Sequence, residues 1–236
     1  MFFIYQIILT FLLILSPIII FLRILKNKED KKRYIEKFSF PSKKRKVGKL
    51  IWFHGASVGE LLSVIPIIKI YEKKKSINQI LVTSSTLSSS KVFEKYNFKK
   101  TIHQFYPIDH FIFANRFLKF WKPDVALFID SEIWPSMFKN LKSRKIPLVL
   151  LNARFTKKTF NRWIKIKSFF KSVLENVTIA YPQNLETRNY LKKMKINNIK
   201  LIGNIKFAEN NNKFNDKLNE SLNSELFKKK IWVASS

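Results

Sequence analysis

The chain has 236 residues, 46% of them hydrophobic, and its 45 Lys and Arg against 16 Asp and Glu give a net charge of +29. That length and apolar content exclude a disordered chain and allow one large domain with extensions. The charge calls for an anionic partner (nucleic acid, a membrane surface or a phosphorylated substrate), although abundant Lys, Asn, Ile and Phe make part of it compositional, and the lack of cysteine excludes disulfides and thiolate metal sites.

Residues Met1 to Leu22 carry no charged side chain, and only Gln6, Thr10, Ser16 and Pro17 interrupt the bulky apolar residues. As a helix this stretch is about 33 Å long, enough for a hydrocarbon core of about 30 Å. Residues 1–22 are therefore expected to form a transmembrane or membrane-anchor helix. A cleaved signal peptide fits less well, because no basic region precedes the apolar run and no small-x-small site ends it.

Residues 23–49 form a basic juxtamembrane segment containing Arg23, Lys26, Lys28, Lys31, Lys32, Arg33 and Lys37, then Lys43, Lys44, Arg45, Lys46 and Lys49. By the positive-inside rule the remainder of the chain faces the cytoplasm. Each such residue near an anionic leaflet contributes about 1 kcal/mol of attraction. A nucleic-acid patch suits a position beside a membrane segment poorly, and no nucleic-acid partner is expected.

From Leu50 onward strand-like and helix-like stretches alternate, which predicts an α/β fold with a Rossmann-like parallel sheet covered by helices. Strands are expected at Leu50 to His54, Gln79 to Ser84, Thr101 to Phe105, Asp124 to Ile129, Pro147 to Leu151, Val177 to Tyr181 and Asn198 to Ile202. Helices are expected at Gly59 to Tyr71, Ser88 to Tyr96, His110 to Trp121, Ile133 to Ser143, Thr156 to Leu174 and Leu185 to Met194. Pro66 should kink the first of these or mark where its regular part begins. This domain spans 50–208. Residues 209–230 read as a polar connector, and 231–236 as the first strand of a further domain cut short.

The stretch Leu50 to Glu60 draws the chemistry together. Five large residues suited to a buried strand turn abruptly into small ones and then into a carboxylate, Glu60, where ligands of open α/β sheets are held. Ser57-Val58-Gly59-Glu60 fits a capping box equally well, with Ser57 accepting from the Glu60 amide and Glu60 reaching back to the Ser57 amide. Three later loops follow strands on the same side of the predicted sheet. They are Asp130-Ser131-Glu132-Ile133-Trp134-Pro135, Asn152-Ala153-Arg154 and Gly203-Asn204-Ile205-Lys206-Phe207. His54, His103 and His110 lack metal-ligand spacing, so no metal is expected.

Together and in this order, these motifs resemble the N-terminal domain of the 3-deoxy-D-manno-octulosonic acid (Kdo) transferases. The likeness runs from the hydrophobic N-terminus through His54-x-Ala56-Ser57-Val58-Gly59-Glu60, Thr83-Ser84-Ser85-Thr86 and Tyr106-Pro107-x-Asp109. It continues through Ser131-Glu132-Ile133-Trp134-Pro135, Asn152-Ala153-Arg154 and Gln183-Asn184 to Gly203-Asn204-x-Lys206-Phe207. It covers nearly the whole chain.

The resemblance implies the N-terminal, acceptor-binding half of an inverting, metal-independent GT-B glycosyltransferase with no cofactor beyond its donor, CMP-Kdo. Its acceptor would be the lipid A precursor glycolipid of lipopolysaccharide biosynthesis, met at the cytoplasmic face of the inner membrane on an anionic surface. The family's general base falls on Glu60, with Glu132 orienting the acceptor or the loop around Glu60. Ser57 and Gly59 would line or orient the acceptor site, and Arg154 and Lys206 would meet phosphate or carboxylate. Two departures stand out. Asp130-Ser131 replaces the family's more usual Glu-Thr, and Gly55 stands where Ala, Ser or Cys is frequent, a change expected to be tolerated. Because the family's C-terminal domain supplies most of the donor site, this fragment alone is expected to be inactive. The alternative is a truncated, non-catalytic membrane-anchored module that binds anionic glycolipid.

Overall fold

The computed structural model describes residues 1–205, which fall in one compact unit, Met1–Ile205. The expectations for Lys206, Phe207, the connector and the final strand lie outside the described residues.

Six strands form one all-parallel sheet: β1 (Leu50–His54), β2 (Gln79–Ser84), β3 (Thr101–Phe105), β4 (Val125–Ile129), β5 (Leu148–Ala153) and β6 (Ile179–Pro182). Their order is β3-β2-β1-β4-β5-β6. This is the doubly wound arrangement, in which the strand order reverses between β1 and β4 and opens a crevice at their carboxyl ends.

The covering helices are α1 (Phe2–Leu25), α2 (Val58–Lys73), α3 (Leu87–Glu94), α4 (Phe111–Trp121), α5 (Pro135–Ser143), α6 (Lys157–Lys165), α7 (Lys167–Leu174) and α8 (Leu185–Lys193). The continuous apolar runs of the strands arise because both sheet faces are covered. Along β1, Leu50 and Trp52 point into the core beneath α4 and α5, while Ile51 and Phe53 point into the core beneath α2. Each such buried side chain contributes about 1.5–3 kcal/mol.

Three expectations need correction. The strand predicted at Asn198 to Ile202 is a single parallel bridge, Ala180 to Ile199, beside β6. The helix predicted over Thr156 to Leu174 breaks at Ile166 into α6 and α7. Pro66 lies inside α2, whose helical run continues from Val58 to Lys73 around it.

Residues 29–49 also fold onto the domain. Glu36, in a 3-10 turn over Tyr34–Phe38, is fully buried and accepts from the Phe105 amide at 2.7 Å. Arg33 bonds Glu36, and it also bonds His103 through both the ring Nδ1 and the carbonyl, each at 2.9 Å. Lys37 pairs with buried Glu29 at 2.7 Å, and Arg45 donates to the Trp121 carbonyl. Part of the basic segment is thus internal scaffolding, while Lys26, Lys28, Lys31, Lys32, Lys44 and Lys46 remain exposed.

Candidate active site

β1 ends at His54, and the chain turns through Gly55 and Ala56 into α2, which Ser57 caps. Ser57 Oγ accepts from the Glu60 amide at 3.4 Å, as the capping box requires. The return contacts differ from that pattern. Glu60 Oε2 accepts from the Ala56 amide at 2.7 Å, one residue earlier than expected, and Oε1 accepts from the Ser57 hydroxyl at 2.7 Å. Both carboxylate oxygens are therefore held from one side, in a half-buried position at the carboxyl edge of the sheet.

A helix N-terminus alone would lower the pKa of this carboxyl. In the fold the opposite prevails. Burial is the largest influence and pushes the Glu60 pKa up, and the negative charges of Glu132 and Asp130 push it the same way, against the hydrogen bonds from Ser57 and Ala56. The weak-base tension of a capping-box glutamate is thereby relieved.

The loop after β4 brings those charges. Asp130 adopts a left-handed backbone, φ 61°, and the Arg154 amide donates to its carbonyl at 3.4 Å. Glu132 Oε2 accepts from Trp134 Nε1 at 2.8 Å and stands 3.4 Å from His54 Nε2. Trp134 in turn packs on Tyr106, and Tyr106 stacks on His54 with ring centroids 3.9 Å apart. His54 is fully buried, and that burial holds its pKa below the ordinary value despite the upward pull of Glu132. In the sequence His54 belongs to the motif ending at Glu60, with no role apparent from its neighbours. Its position at the carboxyl end of the first strand is the available signal.

The other expected residues divide. Gly59 is exposed, and a Cβ there would meet nothing within 4 Å, so the packing of this chain does not require the glycine. A Cβ at Gly55, by contrast, would come 3.0 Å from Glu60 Cβ, so an alanine there would displace the carboxylate's own stem by a few tenths of an ångström. Arg154 follows β5 and is exposed, with no ion-pair partner for its guanidinium among the described residues. Its carbonyl accepts from the Ser131 hydroxyl, which ties it to the Glu132 loop. β5 runs two residues farther than predicted, through Asn152 and Ala153, with a bulge where Asn152 takes φ 54°. Among the described residues no group of three or more His, Asp or Glu is placed to hold a metal ion.

Because β1, β4 and β5 are neighbours, the loops bearing Glu60, Glu132 and Arg154 meet at the switch point of the sheet. The strand order and the crevice define a Rossmann-like, doubly wound α/β domain of the class that holds ligands at its switch point. Solved structures agree on the fold. The chain is similar to a UDP-N-acetylglucosamine 2-epimerase with a TM-score of 0.51 at 12% identity, over 66% of this chain and 48% of that one. It is also similar to the UDP-GlcNAc 2-epimerase of Neisseria meningitidis, with a TM-score of 0.50 at 14% identity, over 67% and 47%.

The chain belongs to the 3-deoxy-D-manno-octulosonic-acid transferase (kdotransferase) family, whose family model matches residues 32–209. It is 35% identical to the 3-deoxy-D-manno-octulosonic acid transferase of Rickettsia bellii over 219 residues, 93% of this chain and 52% of that protein. The corresponding enzyme of Rickettsia felis is 37% identical over 187 residues, 79% of this chain and 40% of that protein. That of Haemophilus influenzae is 29% identical over 195 residues, 79% and 44%. The chain thus spans about half the length, or less, of the curated relatives it matches.

Proposed function

We propose that this chain is the acceptor-binding half of a Kdo transferase that moves Kdo from CMP-Kdo to a lipid A precursor with inversion, using Glu60 as general base. The observation that carries the reading is Glu60 itself, a half-buried carboxylate oriented through both oxygens and with its pKa raised, at the switch point of a GT-B-type domain.

An alcohol is a poor nucleophile at neutral pH, so its proton must leave as it attacks. In the proposed step a Glu60 oxygen takes the proton of the acceptor hydroxyl. The hydroxyl oxygen bonds the anomeric carbon of Kdo, and the bond to CMP breaks on the opposite face, with CMP carrying away the electron pair. The charge of Glu132 strengthens the base and, with the indole of Trp134, shapes the wall the acceptor meets. Gly59 keeps the surface beside Glu60 clear. Ser57 holds the base in aim. Arg154 offers an exposed, fork-shaped partner for phosphate or carboxylate, a role also proposed for Lys206. Membrane association belongs to the same reading, since α1 is apolar enough and long enough to enter a bilayer and exposed lysines follow it.

The test is Kdo transfer by the complete two-domain transferase, with and without Glu60→Gln. A fall in kcat of roughly 10²–10⁴-fold is expected for removal of a general base. Near-normal turnover would overturn the assignment. Glycolipid binding by the complete protein with no transfer would favour the non-catalytic module instead.

A further inference from the structure

α1 carries a pattern besides its apolar length. Phe2, Tyr5, Leu9, Leu13, Ser16 and Ile20 are partly or fully covered, at steps of three and four residues, so one seam of the helix meets the protein along most of its length. The opposite side is bare. Phe3, Ile7, Phe11, Ile14, Ile18 and Phe21 are between 40% and 75% exposed.

Both ends of this helix are tied to the same edge of the domain, the first directly and the second through Glu29 and Lys37. Near its start, the Tyr5 hydroxyl donates to Asp109 at 2.8 Å and Gln6 Nε2 donates to Ser136 Oγ at 2.7 Å. Gln6 Oε1 also accepts from the Phe111 amide at 3.1 Å. These partners open α4 and α5. Near its end, Arg23 pairs with buried Glu29 at 3.0 Å, Lys37 pairs with the same Glu29 at 2.7 Å, and Lys37 Nζ donates to the Ser85 carbonyl, just past β2, at 3.4 Å; Arg23 and Lys28 also line a cavity with Thr86, Leu87 and Ser88, which open α3. The starts of α3, α4 and α5 all lie at the carboxyl edge of the parallel sheet, the edge that carries Glu60 and Glu132.

A helix of 24 residues is about 36 Å long. To cross a bilayer, one of its ends must lie about 30 Å deeper than the other. Two ends bound to one sheet edge cannot do this without drawing polar helix starts and buried Asp109 into hydrocarbon, where unsatisfied polar groups cost several kcal/mol each. Lying flat, the same helix sinks only its bare face, and the exposed Lys26, Lys28, Lys31 and Lys32 reach the headgroups of an anionic surface. No acidic side chain lies on the helix to oppose this.

We infer that α1 is an in-plane anchor that lies in one leaflet of an anionic bilayer along the carboxyl edge of the sheet and holds the Glu60–Glu132 crevice at headgroup height. Asp109 is the joint. It accepts from Tyr5 at 2.8 Å and from the Ser136 and Met137 amides, each at 2.9 Å, so the lipid-facing helix is bonded to the helix that begins three residues after Glu132. The inference rests on the membrane-association part of the proposed function and is independent of the reaction assigned to Glu60.

The chain has no cysteine, so single thiols can be introduced cleanly at Phe3→Cys, Phe11→Cys, Phe21→Cys, Ser131→Cys and Lys122→Cys. Each variant of the full chain carries a fluorophore and is mixed with phosphatidylglycerol–phosphatidylethanolamine vesicles containing quenchers at the headgroup or along the acyl chain. Equal, shallow depths are expected for the three α1 positions. Headgroup quenching is expected at Ser131, beside Glu132, and none at Lys122, at the far edge of the sheet. A mid-bilayer depth at Phe11, with Phe3 accessible only from the opposite side, would establish a span and overturn the inference. Equal quenching at Ser131 and Lys122, or none at either, would overturn the placement of the crevice. Failure to bind vesicles would sink the membrane association itself, while leaving the assignment of Glu60 to its own test.

Discussion

The imidazole of His54 and the carboxylate of Glu132 face each other where β1 meets β4, with Nε2 3.4 Å from Oε2. The carboxylate bears on the tautomer. Thr83 Oγ1 accepts from Trp52 Nε1 at 2.9 Å and its hydroxyl donates to the Phe53 carbonyl at 3.4 Å, while His54 Nδ1 lies 3.0 Å from that hydroxyl and 3.2 Å from the Thr83 carbonyl. The contacts of His54 Nδ1 fit either ring tautomer, and buried Nε2 faces the Glu132 carboxylate at 3.4 Å without a formed hydrogen bond, an arrangement that favours the proton on Nε2. A neutral histidine of the other tautomer would set a lone pair against a carboxylate.

Thr83→Val removes the hydroxyl beside Nδ1 and should loosen the His54–Glu132 pair without unfolding the chain. The expected result in the complete transferase is a loss of several-fold in transfer, with Thr83→Ser close to the parent. The ¹⁵N shifts of His54 should report the changed tautomer in the Val variant and not in the Ser variant. A purely structural threonine would leave those shifts unmoved.

The pH dependence of transfer should reflect the raised pKa of Glu60. Loss of activity on acidification should begin above the ordinary glutamate range. Because the charge of Glu132 pushes the Glu60 pKa up, Glu132→Gln should move that acidic limb to lower pH while also reducing kcat. A limb that stays in place would separate the two carboxylates. The pH–rate profile of kcat/KM measures it.

Two glycines give opposite expectations. Gly59→Ala adds a Cβ in open space in the first turn of α2 and should leave stability unchanged or raise it by up to about 1 kcal/mol, while raising KM for the acceptor. Gly55→Ala pushes on Glu60 Cβ and should lower kcat by a few-fold, with little change in KM. Chemical denaturation alongside kinetics distinguishes them, and similar effects on KM and kcat at both positions would count against the roles assigned here.

Two buried groups should nearly cancel in the pH dependence of stability. Burial and the charges of Arg33 and Lys43 push the His103 pKa down to about 3, while burial pushes Asp109 up to about 6. Between about pH 4 and 6 the unfolded chain binds the extra proton at His103 and the folded chain binds it at Asp109, so their slopes have opposite sign, each about 1.4 kcal/mol per pH unit. Relative to the parent, Asp109→Asn should lose stability as pH falls through this window, and His103→Gln should gain it. Urea titrations at several pH values provide the measurement.

The sequence by itself determined the first three strands to the residue. β1, β2 and β3 have the predicted ends, because each is a short run of β-branched, aromatic and aliphatic residues between polar turns, although β3 also buries Thr101, His103 and Gln104. It also determined which loops share the carboxyl edge of the sheet, since alternation of strand and helix places every strand-to-helix turn there. Ser57 and Glu60 were legible as a pair for the same local reason, a spacing of three residues at a helix start.

The tertiary structure decided what depends on residues far apart in the chain. The raised pKa of Glu60 comes from burial and from the charges of Glu132 and Asp130 on a distant loop, which no local pattern contains. The roles of His54, Arg33 and Asp109 rest on such partners too, 70 residues apart for Arg33 and His103, and 104 apart for Tyr5 and Asp109. An apolar run of the right length reads the same whether it crosses a bilayer or lies in one leaflet. What bears on the difference is long-range: the bonds of Tyr5 and Gln6 at one end of α1 and the Arg23–Glu29–Lys37 link at the other lead to one edge of one sheet.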